Sequence, residues 1–216
     1  MPKKAIIFDF DGLILDTETP QVEIWHSMFE KAGGSFDLRG YHATIGSFDS
    51  DEYRPQVELA ELLDDGRTPA ELLLQVQEAQ TDLILTNPIN PGVKEILDDA
   101  RLRGILTAVG SSSPRIWVEG HLKRLGLLDR FETVVTFDDV DQPKPSPEIF
   151  ELVLKRLTVN PENAIVLEDS ANGVLAAKRA NIRAIAVPNP VTGTMDFSLA
   201  SEVLDSLLDL DLDKYF

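Results

Sequence analysis

Residues 5–12 of the chain read AIIFDFDG, a four-residue apolar run followed at once by two acidic residues. The run Ala5–Phe8 is too short for a buried helix and predicts an interior strand. Side chains alternate along a strand, so Asp9 and Asp11 project to the same side at its end, and Gly12 permits a sharp turn. Two neighbouring carboxylates repel each other unless a cation or a shared proton relieves the repulsion. The pair therefore predicts chemistry at the end of the first strand.

The bulk properties exclude several functional classes. A chain of 216 residues can form one large domain or a core with a smaller inserted one. A net charge of -17 disfavours nucleic acid and anionic lipid as partners, and the absence of cysteine excludes disulfides and thiolate chemistry. Lys3 and Lys4 precede too few apolar residues for a signal peptide, and no run approaches membrane-spanning length. We expect a cytoplasmic protein with no membrane or nucleic-acid partner, and no protein partner is evident.

The remaining pattern predicts a helical segment followed by alternating helices and strands. Apolar spacing predicts helices around 22–32, with Thr17 as the N-cap, and at 57–63 and 70–85. Further helices are predicted at 93–103, 116–125, 147–157 and 171–180, and strands at 105–109, 133–136, 164–167 and 184–187. Residues 205–213 are predicted to be a final helix or a strand edge. The fold class is therefore α/β: a doubly wound, Rossmann-like parallel-sheet core of residues 1–16 and 88–216 with an inserted all-helical cap at 17–87.

Polar side chains follow four of the predicted strands. Beyond Asp9 and Asp11 they are Ser111–Ser113, Lys144, and the pair Glu168 and Asp169. Ligands bind beyond the carboxyl ends of strands in such sheets, and this set suits a phosphate with a hard divalent cation. Each element also has a structural alternative: an N-cap for the serines, a solvated loop lysine, and a helix start for the acidic pair. Their joint occurrence at four strand ends favours a site.

These motifs resemble those of the haloacid dehalogenase-like hydrolase superfamily, in its phosphatase and β-phosphoglucomutase-like branch with a small helical cap. The resemblance covers essentially the whole chain. It is carried by Asp9–Gly12 with Asp16 and Thr17, by Ser111, by Lys144, and by Glu168–Gly173. The second acid, Asp11, indicates phosphoryl transfer, because a true dehalogenase lacks it.

The resemblance implies a Mg²⁺-dependent phosphatase acting on a small phosphorylated metabolite. Asp9 would form an aspartyl-phosphate, and Asp11 would serve first as an acid and then as a base. Mg²⁺ would bind Asp9, the backbone carbonyl of Asp11, and Asp169, with Glu168 as a direct ligand or acting through water.

The other motif residues would hold phosphate or support the structure. Ser111 and the N–H of Ser112 would bind the phosphoryl oxygens, and Lys144 would offset negative charge. Asp16 is expected to be a turn-and-cap residue, and Asn172–Gly173 is expected to allow close packing of helix against sheet.

Substrate specificity is expected to lie in the cap, which would close over the site. The candidates are Gln21, and Arg39, His42 and Arg54 around the loop from Gly40 to Tyr53. An arginine here could equally form a surface ion pair, and His42 could be an ordinary loop residue. Mutase relatives have a histidine at the position of Gln21 and a cap lysine, but residues 33–92 contain no lysine. A hydrolase is therefore favoured over a phosphosugar mutase. The alternative of an inactive binding module on the same fold is disfavoured by the intact motif set, namely Asp9, Asp11, Lys144 and Asp169.

Overall fold

The computed structural model describes residues 2–46 and 53–216, and within them the strands form one parallel sheet. The strand order is β3-β2-β1-β4-β5-β6, so the first strand lies in the middle of the sheet. The strands are β1 (Ala5–Phe8), β2 (Leu106–Gly110), β3 (Thr133–Val135), β4 (Ala164–Glu168), β5 (Arg183–Ala186) and β6 (Glu202–Val203). The predicted strands agree with β1 to β5 to within one residue at each end, and the α/β fold class is confirmed.

Helices cover both faces of this sheet. They are α5 (Val93–Arg103), α6 (Arg115–Arg124), α7 (Glu148–Leu157) and α8 (Ala171–Arg179). Alternation along β1 sends Ile6 and Phe8 into the apolar cluster that contains α5 and α6, and Ala5 and Ile7 into the cluster that contains α7 and α8. Because β1 is buried on both faces, its carboxyl end lies at the centre of one edge of the sheet, where ligands bind.

A helical insertion separates β1 from α5. It contains α1 (Glu18–Lys31), α2 (Leu38–Tyr41), α3 (Pro55–Leu63) and α4 (Pro69–Ile84). Its own apolar cluster is built around Trp25, Phe29 and Leu59. The assignment of residues 17–87 as a cap stays a prediction. Among residues 2–46 and 53–216, no helix combines the length and the hydrophobicity needed to cross a membrane.

Thr17 occupies the N-cap position of α1, as predicted, but its side chain accepts no capping bond. The Thr19 N–H donates instead to Asp16 Oδ1 at 3.0 Å, which agrees with the predicted turn-and-cap role of Asp16. The prediction for the C-terminal segment is wrong. Residues 205–213 form neither a helix nor a strand but enter two single 3-10 turns, Leu207–Asp209 and Leu212–Lys214. Ser206 and Asp211 accept backbone N–H bonds at these turns, and such local bonds compete with regular structure.

Candidate active site

Three buried carboxyl groups meet where β1 and β4 end. Oxygens of Asp9, Glu168 and Asp169 all lie within 4.8 Å of one another. The fully buried Lys144 donates to Asp9 Oδ1 and to Glu168 Oε1, the latter at 2.6 Å, and its Nζ lies 4.9 Å from the ring centroid of Phe150. One ammonium thus lies among three carboxyl groups, so the cluster is negative when all of them are ionised.

This excess of acid has a clear electrostatic effect. Burial raises the pKa of Asp9, and Glu168 adds to the rise, while Lys144 opposes it. Burial also raises the pKa of Asp169 well above its usual range, with Asp9 and Glu168 adding to the effect. Asp9 therefore needs further positive charge nearby to be ionised at neutral pH. A hard divalent cation fits this requirement, because the available donors are all oxygens.

Glycines allow the backbone to approach these carboxylates closely. Gly12 has φ +78°, and a Cβ there would overlap Asp169 Oδ2, which also accepts a hydrogen bond from Asn189 Nδ2 at 2.7 Å. A Cβ on Gly173 would overlap the carboxylate of Glu168. Position 173 therefore agrees with the predicted close packing.

Glu168 has both carboxylate oxygens engaged. Oε1 accepts from Lys144, and Oε2 accepts from the Ser170 N–H at 3.1 Å and the Ser170 hydroxyl at 2.9 Å. These bonds fix its orientation behind Asp9.

The carboxylate of Asp11 is held from two sides. The Ser113 hydroxyl donates to Oδ2 at 2.6 Å, and the indole N–H of Trp117 donates to Oδ1 at 2.9 Å. The Ser111 hydroxyl lies 3.4 Å from Oδ2. The alternative that the serines cap the next helix is wrong, because Pro114 occupies the N-cap position of α6 and the first N–H of that helix, from Arg115, donates to Asp138 Oδ2 at 2.6 Å.

Ser112 connects the site to the helical insertion. Its hydroxyl accepts from the Lys144 N–H at 3.2 Å and donates to the Gly46 carbonyl at 3.0 Å. Its own N–H has no acceptor among the described residues. Asn172, predicted only to pack, also reaches the insertion: its Nδ2 donates to the carbonyls of Ala43 at 3.2 Å and Ile45 at 2.8 Å.

A cavity of about 750 Å³ lies between the insertion and the strand ends. Asp9, Asp11 and the three serines form its floor. Its walls carry polar side chains from the insertion, among them Glu18, Gln21, Arg54, Gln56, Gln77 and Gln80. The candidate motif residues and part of the insertion therefore face one space.

The four specificity candidates do not share one location. Gln21 and Arg54 line the cavity. Arg39 is exposed on α2, and His42 uses Nε2 to bind the Val191 carbonyl at 2.8 Å, so the described structure places neither of these two at the cavity wall. A predicted loop does not reveal which way its side chains point, so the role of these two residues in specificity stays a prediction. Residues 47–52 of that loop lie outside the described residues.

Sequence reasoning missed two residues of the site. Trp117 reaches Asp11 from the first turn of α6, and nothing in its local pattern distinguishes it from a packing residue. Glu18 lies at the cavity wall, where burial raises its pKa to about 8, with Asp11 and Asp9 adding to the effect. Its position two residues after Asp16, next to the acidic motif, was the one signal in the sequence that could have indicated its place near the site.

Comparison with known proteins agrees with this geometry. The family model for haloacid dehalogenase-like hydrolases matches residues 6–187. The chain belongs to this family. This hydrolase is 40% identical to YhcW of Bacillus subtilis over 209 residues, which cover 97% of the chain and 94% of YhcW. It is 33% identical to the phosphorylated carbohydrates phosphatase of Thermotoga maritima over 182 residues, which cover 84% of the chain and 83% of the relative.

A solved structure shows the same fold. CbbY from Rhodobacter sphaeroides, in complex with phosphate, superposes on this hydrolase with a TM-score of 0.71 and 28% identity, covering 96% of each chain. The family predicted from the Asp-x-Asp, serine, lysine and acidic motifs is therefore confirmed.

Proposed function

We propose that this hydrolase is a Mg²⁺-dependent phosphatase that cleaves a small hydroxylated phosphate monoester through an aspartyl-phosphate on Asp9. The observation that carries the proposal is that Asp9 and Asp11 line one cavity but are held by different partners. Lys144 binds Asp9, whereas Ser113 binds Asp11, so the two carboxyl groups have separate environments. Separate environments allow two carboxyl groups to take different chemical roles. The enzyme class, a phosphoric monoester hydrolase, agrees with the Thermotoga relative, which is named a phosphatase.

In the first step, Asp9 attacks phosphorus. A bond forms between the carboxylate oxygen and phosphorus while the bond from phosphorus to the substrate oxygen breaks. Asp11 gives its proton to the departing oxygen, which leaves as an alcohol. Lys144 offsets negative charge, and Ser111 and the free N–H of Ser112 bind the equatorial oxygens.

In the second step, water replaces the aspartate. Asp11, now a carboxylate, takes a proton from water as the water oxygen attacks phosphorus. The bond to Asp9 breaks, inorganic phosphate leaves, and Asp11 carries a proton again. The cycle therefore returns both carboxyl groups to their starting states.

Asp9, Asp169 and the backbone carbonyl of Asp11 would hold Mg²⁺. Glu168 would act through water, because its oxygens already accept hydrogen bonds from Lys144 and Ser170. When bound, the ion supplies positive charge that keeps Asp9 ionised and polarises the phosphoryl group.

The cavity wall supports a neutral, hydroxylated leaving group. Four of its side chains are glutamines, whose amides both donate and accept hydrogen bonds, as hydroxyl groups do. Among the described residues that line the cavity, Arg54 is the one cationic side chain, which favours a single phosphate over a bisphosphate. A sugar monophosphate satisfies both conditions, and the Thermotoga relative is named for phosphorylated carbohydrates.

Hydrolysis is preferred over phosphosugar mutation because of Gln21. This side chain lies 3.5 Å from Gln80 Nε2, and neither group titrates. A mutase must protect its aspartyl-phosphate from water until a second sugar phosphate binds. Phosphorus NMR on β-glucose 1-phosphate with a trace of bisphosphate primer tests this: free phosphate should appear without glucose 6-phosphate, and faster formation of the isomer would contradict a hydrolase.

The main test is a panel of sugar monophosphates, sugar bisphosphates and alkyl phosphates, assayed for phosphate release with Mg²⁺ and again with chelator. We expect turnover of sugar monophosphates with Mg²⁺ and none after chelation. Asp9→Asn should abolish turnover, whereas Asp82→Asn, which removes one charge from an exposed position of α4, should not. Full activity in chelator, or a stable phosphoryl adduct on Asp9→Asn by intact mass, would refute the mechanism.

A further inference from the structure

Trp117 contacts Asp11 in a way that a packing residue would not. Its indole nitrogen lies 2.9 Å from Asp11 Oδ1. Ser113 binds the other oxygen at 2.6 Å, so each carboxylate oxygen has its own donor and rotation of the group is restricted. An indole N–H can only donate, so Oδ1 accepts this bond and the plane of the carboxyl group is fixed by it.

Neighbours along α6 fix the Trp117 ring itself. His121, one turn further along, packs edge-on against it with ring centroids 4.4 Å apart and an interplanar angle of 71°. The Arg124 Nε donates to His121 Nδ1 at 3.3 Å. Positions 117, 121 and 124 share one face of the helix, so three side chains support one another behind Asp11.

The same arginine contacts the end of the helical insertion. Its guanidinium donates to the carbonyls of Ile84 at 3.3 Å, Leu85 at 3.1 Å and Asn87 at 3.4 Å, where α4 ends. The indole that holds Asp11 is therefore supported by a helix that is itself attached to the junction between insertion and core.

We propose that Trp117 is a positioning residue that holds the carboxyl group of Asp11 for proton delivery to the leaving oxygen. This inference rests on the phosphatase function proposed above. Trp117 itself neither takes nor gives a proton in the reaction. Its removal should therefore affect the esters that need leaving-group protonation more than those that do not.

The chain offers a matched control. Its other tryptophan, Trp25, has an indole N–H with no hydrogen-bond partner among the described residues. Trp25→Phe and Trp117→Phe remove the same group, but only the second removes a contact with Asp11. Replacement of Trp117 by 3-benzothienylalanine, in which sulfur replaces N–H, keeps the ring shape and guards against a loss due to misfolding.

The experiment compares kcat/KM for phenyl phosphate and 4-nitrophenyl phosphate, two esters of similar shape. Phenolate is the poorer leaving group and depends more on protonation. Both changes at Trp117 should therefore lower kcat/KM for phenyl phosphate about tenfold or more, which is part of the roughly 10²–10⁴-fold that general acid catalysis supplies. The value for 4-nitrophenyl phosphate should fall less than about threefold. Trp25→Phe should leave the ratio of the two unchanged.

The outcomes separate the two proposals. If both Trp117 variants keep the wild-type ratio of the two kcat/KM values, whether or not both values fall, the role of Trp117 is overturned while the phosphatase function stands. A rise in KM at constant kcat would make Trp117 a substrate contact instead, and would also overturn it. A wild-type protein that hydrolyses neither of these esters and no sugar monophosphate of the panel with Mg²⁺ would refute the proposed function, and the inference with it.

Discussion

Substitution of Lys144 by methionine should destabilise the protein strongly. The ammonium is fully buried and contacts Asp9 and Glu168, so its loss leaves two buried carboxyl groups without their cationic partner. Removal of one partner from a buried ion pair costs about 3–5 kcal/mol. For a chain of this size, at roughly 2–4 °C per kcal/mol, the melting temperature should fall by about 6–20 °C.

The stability lost in Lys144→Met should depend on pH and on added divalent cation. Protonation of Asp9 relieves the uncompensated charge, so the difference from wild type should be smaller at pH 5 than at pH 8. Mg²⁺ should restore part of the stability, since it binds the folded cluster.

Thermal and urea unfolding at both pH values measure these effects. Lys155→Met makes the same change at an exposed position of α7 and should shift stability by less than about 0.5 kcal/mol. A Lys144→Met protein as stable as Lys155→Met at pH 8 without Mg²⁺ would refute the reasoning.

Two further changes test the surroundings of the site. Gly173→Ala should lower the free energy of unfolding by about 1–3 kcal/mol and reduce turnover, because its Cβ would overlap the Glu168 carboxylate. Gly120→Ala, where no atom lies within 4 Å of the new Cβ, should instead stabilise α6 by about 0.5–1 kcal/mol. Equal urea midpoints for the two variants would contradict this expectation. Burial, aided by Arg124, lowers the pKa of His121, so its neutral form contributes stability above its unfolded pKa of about 6.5 that is lost as pH falls. Urea unfolding should therefore show a steeper loss between pH 7.5 and 5.5 for wild type than for His121→Phe, and equal slopes would disprove it.

The sheet was predictable because its strands have local signals. Ala5–Phe8 and the apolar run at 164–167 are continuous and short, and a parallel sheet buried on both faces demands such runs. β6 has only two residues, Glu202–Val203, and carries no such signal. The two 3-10 turns near the C-terminus each begin at a single side-chain hydrogen bond, accepted by Ser206 or Asp211, and the spacing of apolar residues does not predict such bonds.

The site was predictable where residues follow a strand directly. Asp9, Asp11 and Asp169 needed only the rule that parallel strands end at the same edge. Trp117 could not be found this way, since its contact with Asp11 depends on the packing angle of α6. Arg39 shows the opposite case: its charge made it a candidate ligand, and the structure places it exposed on α2 rather than among the residues that line the cavity.

The attachment of the insertion to the core uses main-chain acceptors. Asn172 and Ser112 bind the carbonyls of Ala43, Ile45 and Gly46, and every residue type supplies a carbonyl. The side chain at position 43 can therefore change over evolution without loosening this junction, whereas Ile45 is also held by its packing in the apolar cluster of the insertion. Position 46 is constrained as well, because any side chain there would collide with Ser170.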